Sequence, residues 1–403
     1  MKFRLLAISL GALALLVMLA GPAAQAQNSQ SPHYKVVDLG PLGGTYSQAY
    51  YVNSEGSVVS GQASLADGTW HAILWQGAFK RDLGTLGGPN STVYFGGPNA
   101  TGQVAGIAET STPDPNGEDF CGFAAQGVPS SGTCLGFLWQ YGSMTPLSTL
   151  GGYNSAANAI NNSGVIAGNA ETATTDSTCP PYDPAMGQYQ VLQQKPVVWK
   201  DGQIKELPTY GGDPDGSAVA INDHGQVAGA SGGCSTFNVA NGYYLSPVHA
   251  LLWDHGKVTN LGSLGGAFGN EAHGINNRGQ VVGASDLAGD AVFHGFVWSH
   301  STGMQDVAPL VGDTYSYALA INDAGEVVGL SIDSSFTILR AFIVVDGTPT
   351  DLNTLIPDSS PLQLQSACAI NSRGEIAGLA VEKSTGQSRG YLAIPVGRRE
   401  SRE

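Results

Sequence analysis

The sequence predicts an all-β chain, a seven-bladed β-propeller with four antiparallel strands per blade. Three observations predict it. An Asn followed three residues later by Gly and a short apolar run occurs seven times, at Asn53, Asn99, Asn161, Asn222, Asn276, Asn322 and Asn371. Successive copies lie 46, 62, 61, 54, 46 and 49 residues apart, so one supersecondary unit is written seven times. Five of the six Trp residues, Trp75, Trp139, Trp199, Trp253 and Trp298, close the same apolar run of their units. Finally, the array starts with a strand too many, residues 34–39, and stops a strand short, after residues 389–393. If the first strand completes the last blade, the ring closes and no pairing edge is left open. An open solenoid would instead need polar caps.

The fifth unit shows the elements most clearly: strand a over 270–276, b over 280–283, c over 294–298 and d over 303–307. Asn-x-x-Gly between a and b fits a type I turn with Gly in the left-handed position, which makes a and b a hairpin. Strand d leads in most copies to a Gly pair, such as Gly43-Gly44, Gly87-Gly88, Gly151-Gly152, Gly211-Gly212 and Gly265-Gly266. With no helix following, these read as chain reversals rather than phosphate loops. Small residues stand four before the repeat Asn (Ala49, Ala157, Ala218, Ala272, Ala318, Ala367), as crowding near a propeller axis demands. The second unit, with Phe95, Gly97 and Pro98, breaks this pattern and predicts a local distortion.

Residues 1–26 carry Lys2 and Arg4, an apolar run and Ala24-Gln25-Ala26, the pattern of an export signal, followed by a linker over 27–32, the propeller over 33–397 and a charged tail over 398–403. The expected compartment is extracellular, cell-surface or periplasmic, with no membrane span after cleavage. Without Lys2 and Arg4 the balance is 15 basic against 32 acidic residues, a net of −17, which argues against nucleic acid or anionic lipid as partner. A monomer is expected. Among five Cys, Cys121 and Cys134 flank one loop and are expected to pair, Cys179 with Cys234 is a second pairing, and Cys368 reads as a buried thiol.

The motifs His71-Ala72-Ile73-Leu74-Trp75, His249-Ala250-Leu251-Leu252-Trp253, Asp82-Leu83-Gly84-Thr85-Leu86-Gly87-Gly88 and Ile275-Asn276-Asn277-Arg278-Gly279-Gln280-Val281-Val282-Gly283 recur in order over nearly all of the chain after residue 26. In this it resembles the bacterial extracellular HAF-repeat family. No copy reads His-Ala-Phe in full; the nearest are His294-Gly295-Phe296 and Arg340-Ala341-Phe342. The resemblance implies a secreted repeat protein and carries over no catalytic residue.

Function is expected on the face bearing the d-to-a connections and b-to-c loops. The stretch from the Gly ending b to the end of c is longest in blades two, three and four, and four of the five Cys lie in it. Long loops on a rigid scaffold are where binding concentrates. The starts of the a strands should surround the channel mouth there, with Tyr46, Gln48, Asn90, Tyr94, Tyr153, Asn154, Asp213, Asp215, Phe268, Glu271, Tyr315 and Tyr317 as candidate ligand residues. Aromatic rings beside amides and carboxylates suit a glycan or an extracellular protein partner, against simple cross-strand packing as the alternative. Asp213, Asp215 and Glu271 offer a carboxylate pair for glycoside hydrolase or lyase chemistry, the enzymatic alternative; a structural surface protein is the third. No catalytic motif or cofactor is assigned. Asp114, Asn116, Glu118 and Asp119 have the acidic rhythm of a calcium loop without its full twelve-residue pattern. His71, His249 and His294 begin strand c in three blades and are expected to hydrogen-bond within them rather than share a metal.

Overall fold

The computed structural model describes residues 33–94, 97–130, 132–179, 190–234, 237–238, 243–244 and 248–396. The signal, linker and tail readings and Phe95 lie outside these residues. Seven four-stranded antiparallel sheets form the blades of a seven-bladed β-propeller. Blade five runs from strand a (Gly265–Ile275) through b (Val281–Leu287) and c (Phe293–Ser299) to d (Gly303–Val307). Blade seven takes strands a to c from Leu362–Ile370, Ile376–Glu382 and Ser388–Val396, and its d strand is His33–Asp38. The register Val36↔Ala393 therefore closes the ring with the N-terminal strand.

Two recurrent glycines have steric causes. In six blades the a–b ladder skips one residue three positions before the repeat Asn, as between Ala272 and Gly274. Such a bulge re-aims its side chain, and the bulged Tyr50, His273, Leu319 and Cys368 line the axial channel. The same kink presses a strand-a carbonyl against strand b, so a Cβ on Gly283 would sit 2.0 Å from the Glu271 oxygen, with the same clash at Gly61, Gly168, Gly229, Gly329 and Gly378. The Gly pairs differ from the expectation in blades one, two, three and five, where they open strand a instead of lying wholly in a turn. Their first Gly has positive φ, and the second lies against strand b, where a Cβ would meet Ser64, Glu109, Glu171 or Asp286.

The six alanines four before a repeat Asn are buried between blades, and Trp75, Trp199 and Trp253 fill the wider gaps farther out. Each of these indoles also donates to a carbonyl in the d-to-a connection before its blade, Gly40, Ser148 and Pro208 respectively. In blade two the first strand ends at Thr92, seven residues short of Asn99, which is the distortion expected there.

The Asn turns do more than reverse the chain. In six copies Oδ1 accepts from the backbone N–H groups two and four residues on, and Gly closes the turn at positive φ. The side-chain Nδ2 then donates to the backbone oxygen of the next blade's Asn: Asn99 to Asn161, Asn161 to Asn222, Asn222 to Asn276, Asn276 to Asn322, Asn322 to Asn371 and Asn371 to Asn53, all at 2.9–3.0 Å. Asn53 ends this chain of links. Its turn is one residue longer, its N–H reaching Val58 O where the others reach the fourth residue on, and its Nδ2 turns to Ser57. A cavity of about 420 Å³ runs along the axis behind these turns.

Candidate functional site

The opposite face carries the d-to-a connections and the b-to-c loops. There Cys121–Cys134 closes the long loop of blade two over a small satellite core of Ile107, Phe123 and Val128. Cys179–Cys234 ties the blade-three loop to that of blade four. Both expected disulfides are present, and Cys368 is a buried free thiol. Disulfides persist in oxidising surroundings, and among the described residues no helix is long and apolar enough to cross a membrane.

The predicted ligand residues divide by what they touch. Tyr46 lies flat on Trp70, its centroid 4.2 Å away, and donates to Gln48 Oε1 at 2.5 Å, while Gln62 donates to both Tyr46 and Tyr50. Tyr94 meets Tyr50 edge-on. Burial pushes the Tyr46 and Tyr94 hydroxyls up to about 12, so Tyr46, Gln48 and Tyr94 serve as packing at the blade-one and blade-two seam. Asn90, Asn154 and Asp215 occupy one repeating position, where each accepts a backbone N–H near the start of the preceding blade's strand c, from Trp70, Cys134 and Gln194. They are interblade links.

The candidate carboxylates take separate partners. Asp213 accepts from Ser231 and pairs with His249, Glu271 lies 3.6 Å from His273, and Asp215 faces Asp176. His71 pairs with Asp82 and His294 with Asp306 on strand d of their own blades, the intrablade bonding expected of them. Of the calcium candidates, Asp114, Asn116 and Glu118 bond to one another and Asp119 turns aside. Asp114 Oδ1 accepts from the N–H groups of Asn116 and Glu118, Glu118 accepts from the Asn116 amide and Val191 N, and Asp119 turns to Ala125 N and Ser130. Among the described residues Asp114, Glu118 and Asp119 do not bring three oxygens within 4.8 Å of one another.

Exposed apolar surface concentrates on this face. Among the described residues six of the nine exposed large hydrophobic side chains stand on it: Tyr153, Tyr210, Phe268, Val311, Phe336 and Ile338. Tyr153 and Phe268 are thus accessible as expected. Tyr315 and Tyr317 join Phe293 and Phe336 in a four-ring cluster at the seam of blades five and six, with centroids 4.5–4.9 Å apart along the chain Phe336, Tyr315, Phe293, Tyr317. Phe336, half exposed, is its open edge.

Sequence reading missed an acidic network between blades two and four. Glu171 is fully buried, and its Oε2 accepts from Tyr153 N, Asn154 N and the Asn154 amide, which also donates to Asp114. Burial, then the charge of Glu118, raises Glu171 to about 7. Burial, then hydrogen bonding with Asp176, raises Asp215 to about 8. Burial opposes ionisation of Asp176 as well, but hydrogen bonds from Asp215 and Thr178 hold it below the usual range. A signal was available: Glu109, Glu171 and Asp286 all stand three residues after the Gly of strand b, where each takes a hydrogen bond from the start of strand a.

No family model and no curated protein matches the chain. Among solved structures it is similar to a puromycin-hydrolyzing peptidase of Mycobacterium tuberculosis, at 14% identity and a TM-score of 0.51, covering 89% of this chain and 56% of that one. The chain thus spans little more than half the peptidase's length. It is also similar to an oligogalacturonate lyase in complex with manganese, at 12% identity and a TM-score of 0.51, covering 91% of this chain and 94% of that one. At these identities the likeness is one of fold, and the fold it shows is the β-propeller.

Proposed function

We propose that the protein is an exported binding module of the HAF-repeat type whose ligand, a glycan or an extracellular protein, docks on the face of the d-to-a connections and b-to-c loops. The carrying observation is the distribution of exposed apolar side chains, six of nine among the described residues on that face, including Phe268 and Phe336, the latter the open edge of the four-ring cluster. Aromatic rings offer broad apolar area to a sugar face or a partner's side chain at little conformational cost. Carboxylates stand beside them in Glu271 and Asp286, and burial raises the latter above its usual range. Two disulfides hold the neighbouring loops, which limits the ordering cost of binding. A glycan array probed with and without calcium tests this reading. Selective binding is expected, and the Phe268→Ala/Phe336→Ala double variant should weaken it at least tenfold, or about 1.4 kcal/mol. Absence of glycan binding together with absence of any protein partner sensitive to that variant sinks it.

One observation favours an enzymatic second reading. Burial, then the charge of Glu118, raises Glu171 to about 7, and its Oε1 has no hydrogen-bond partner among the described residues. A carboxylic acid tuned to that range can serve as a general acid. Turnover of acidic oligosaccharides that is lost in Glu171→Gln, with folding retained, would replace the binding reading by this one.

A further inference from the structure

The bridge between the blade-three and blade-four loops has a third member. Asp176 Oδ2 lies 3.5 Å from Cys179 Sγ, and one ligand atom from each of Asp176, Cys179 and Cys234 falls within 4.8 Å of the other two. Among the described residues this is the one group of three metal-ligating side chains so placed. Zinc-to-sulfur bonds of about 2.3 Å and zinc-to-oxygen bonds of about 2.0–2.2 Å make a tetrahedral S···O edge of about 3.5 Å. The observed Asp176–Cys179 separation is that edge.

The surroundings already orient the set. Asp176 Oδ1 accepts from Thr178 N and Thr178 Oγ1 at 2.8 and 2.7 Å. The same Thr178 hydroxyl accepts from Cys234 N at 2.8 Å, so one side chain fixes the carboxylate of one loop and the cysteine backbone of the other. Asp215 faces Asp176 from strand a of blade four. Partners of this kind set ligand orientation and tune affinity in metal sites. Asp176 and Cys234 are buried, and Cys179 is partly exposed, which leaves a side open for a fourth ligand such as water.

We infer that Cys179, Cys234 and Asp176 form a redox-masked site for a borderline-soft divalent cation of the zinc type, exposed when their disulfide is reduced. A dithiol reductant delivers two electrons and two protons to the sulfurs and becomes a disulfide itself. Binding of the cation then releases the two thiol protons and leaves two thiolates and one carboxylate on the metal. In either state the two loops stay tied, by the S–S bond or through the metal. The inference is independent of which ligand the face binds.

Cobalt(II) is the probe, added to the full exported chain after treatment with a phosphine reductant and its removal. A thiolate-to-cobalt charge-transfer band should appear at one equivalent in reduced wild type, be displaced by zinc, and be absent from the oxidised protein. Cys179→Ser should abolish it. Asp176→Asn should weaken binding at least tenfold while the number of titratable thiols is unchanged. Near-ultraviolet circular dichroism follows folding in parallel. Absence of the band in folded reduced protein, a band that survives Cys179→Ser, unchanged affinity in Asp176→Asn, or loss of the fold on reduction each overturns the inference.

Discussion

Asn222→Ala should destabilise the propeller by about 2–4 kcal/mol, and Asn53→Ala by only about 1 kcal/mol, though both alter the same sequence motif. Asn222 is buried. Its Oδ1 accepts from His224 N and Gln226 N, and its Nδ2 donates to Gln226 Oε1 and to Asn276 O in the next blade. Truncation removes all four bonds and leaves a buried carbonyl of blade five short of a donor. Asn53 keeps only a bond from Val58 N and a long one to Ser57, on a partly exposed turn, and among the described residues its side chain bonds to no other blade. Urea denaturation of both variants checks the contrast. Equal midpoints would mean that the interblade links add nothing beyond the turn itself.

Blade number and closure were legible because they are written as periodicity. A repeated Asn-x-x-Gly marks each hairpin, and one surplus strand at the start matches one missing strand at the end. Small residues on strand a and Trp on strand c followed from crowding that any ring imposes. What was not legible depends on the partner of each side chain across blades. The Nδ2 of Asn222 reaches a residue 54 positions away, and nothing in the local motif says that it does. The bulge that turns His273 and Cys368 toward the channel likewise shows only in the register of two strands.

The same limit explains the candidate site. Asn154 and Asp215 were singled out because this position varies between blades, yet variation there reflects alternative ways of closing a seam. Asn90, Asn154 and Asp215 close it with hydrogen bonds to backbone, whereas Tyr315 in the same place packs at a tilt against Phe293. Tyr153 and Phe268, named as candidate ligand residues, are exposed near the start of strand a. Phe336 escaped notice because it sits in a short b-to-c loop, and only the fold brings it against Tyr315.

Asp215→Asn should raise stability at pH 8 by a few kcal/mol and flatten its decline across the neutral range. Asp215 sits where Asn90 and Asn154 sit, and those amides use Nδ2 to donate to carboxylates, Glu109 and Asp114 respectively. Burial, then hydrogen bonding with Asp176, raises Asp215 to about 8, and a protonated Asp215 would reproduce that geometry toward Asp176. Its folded pKa lies above its unfolded value near 4, so the folded state binds the extra proton. The associated stability is complete below about pH 4 and is lost as pH rises through about 8. Glu171, raised to about 7 by burial and Glu118, adds a loss of the same sign over a lower range. An amide at position 215 keeps the acceptor for Gln194 N and supplies a permanent donor to Asp176, which removes the Asp215 part of the slope and leaves that of Glu171. Denaturation midpoints measured from pH 5 to 9 decide the matter: parallel curves for wild type and Asp215→Asn would show that Asp215 is ionised in the fold and that the seam tolerates its charge.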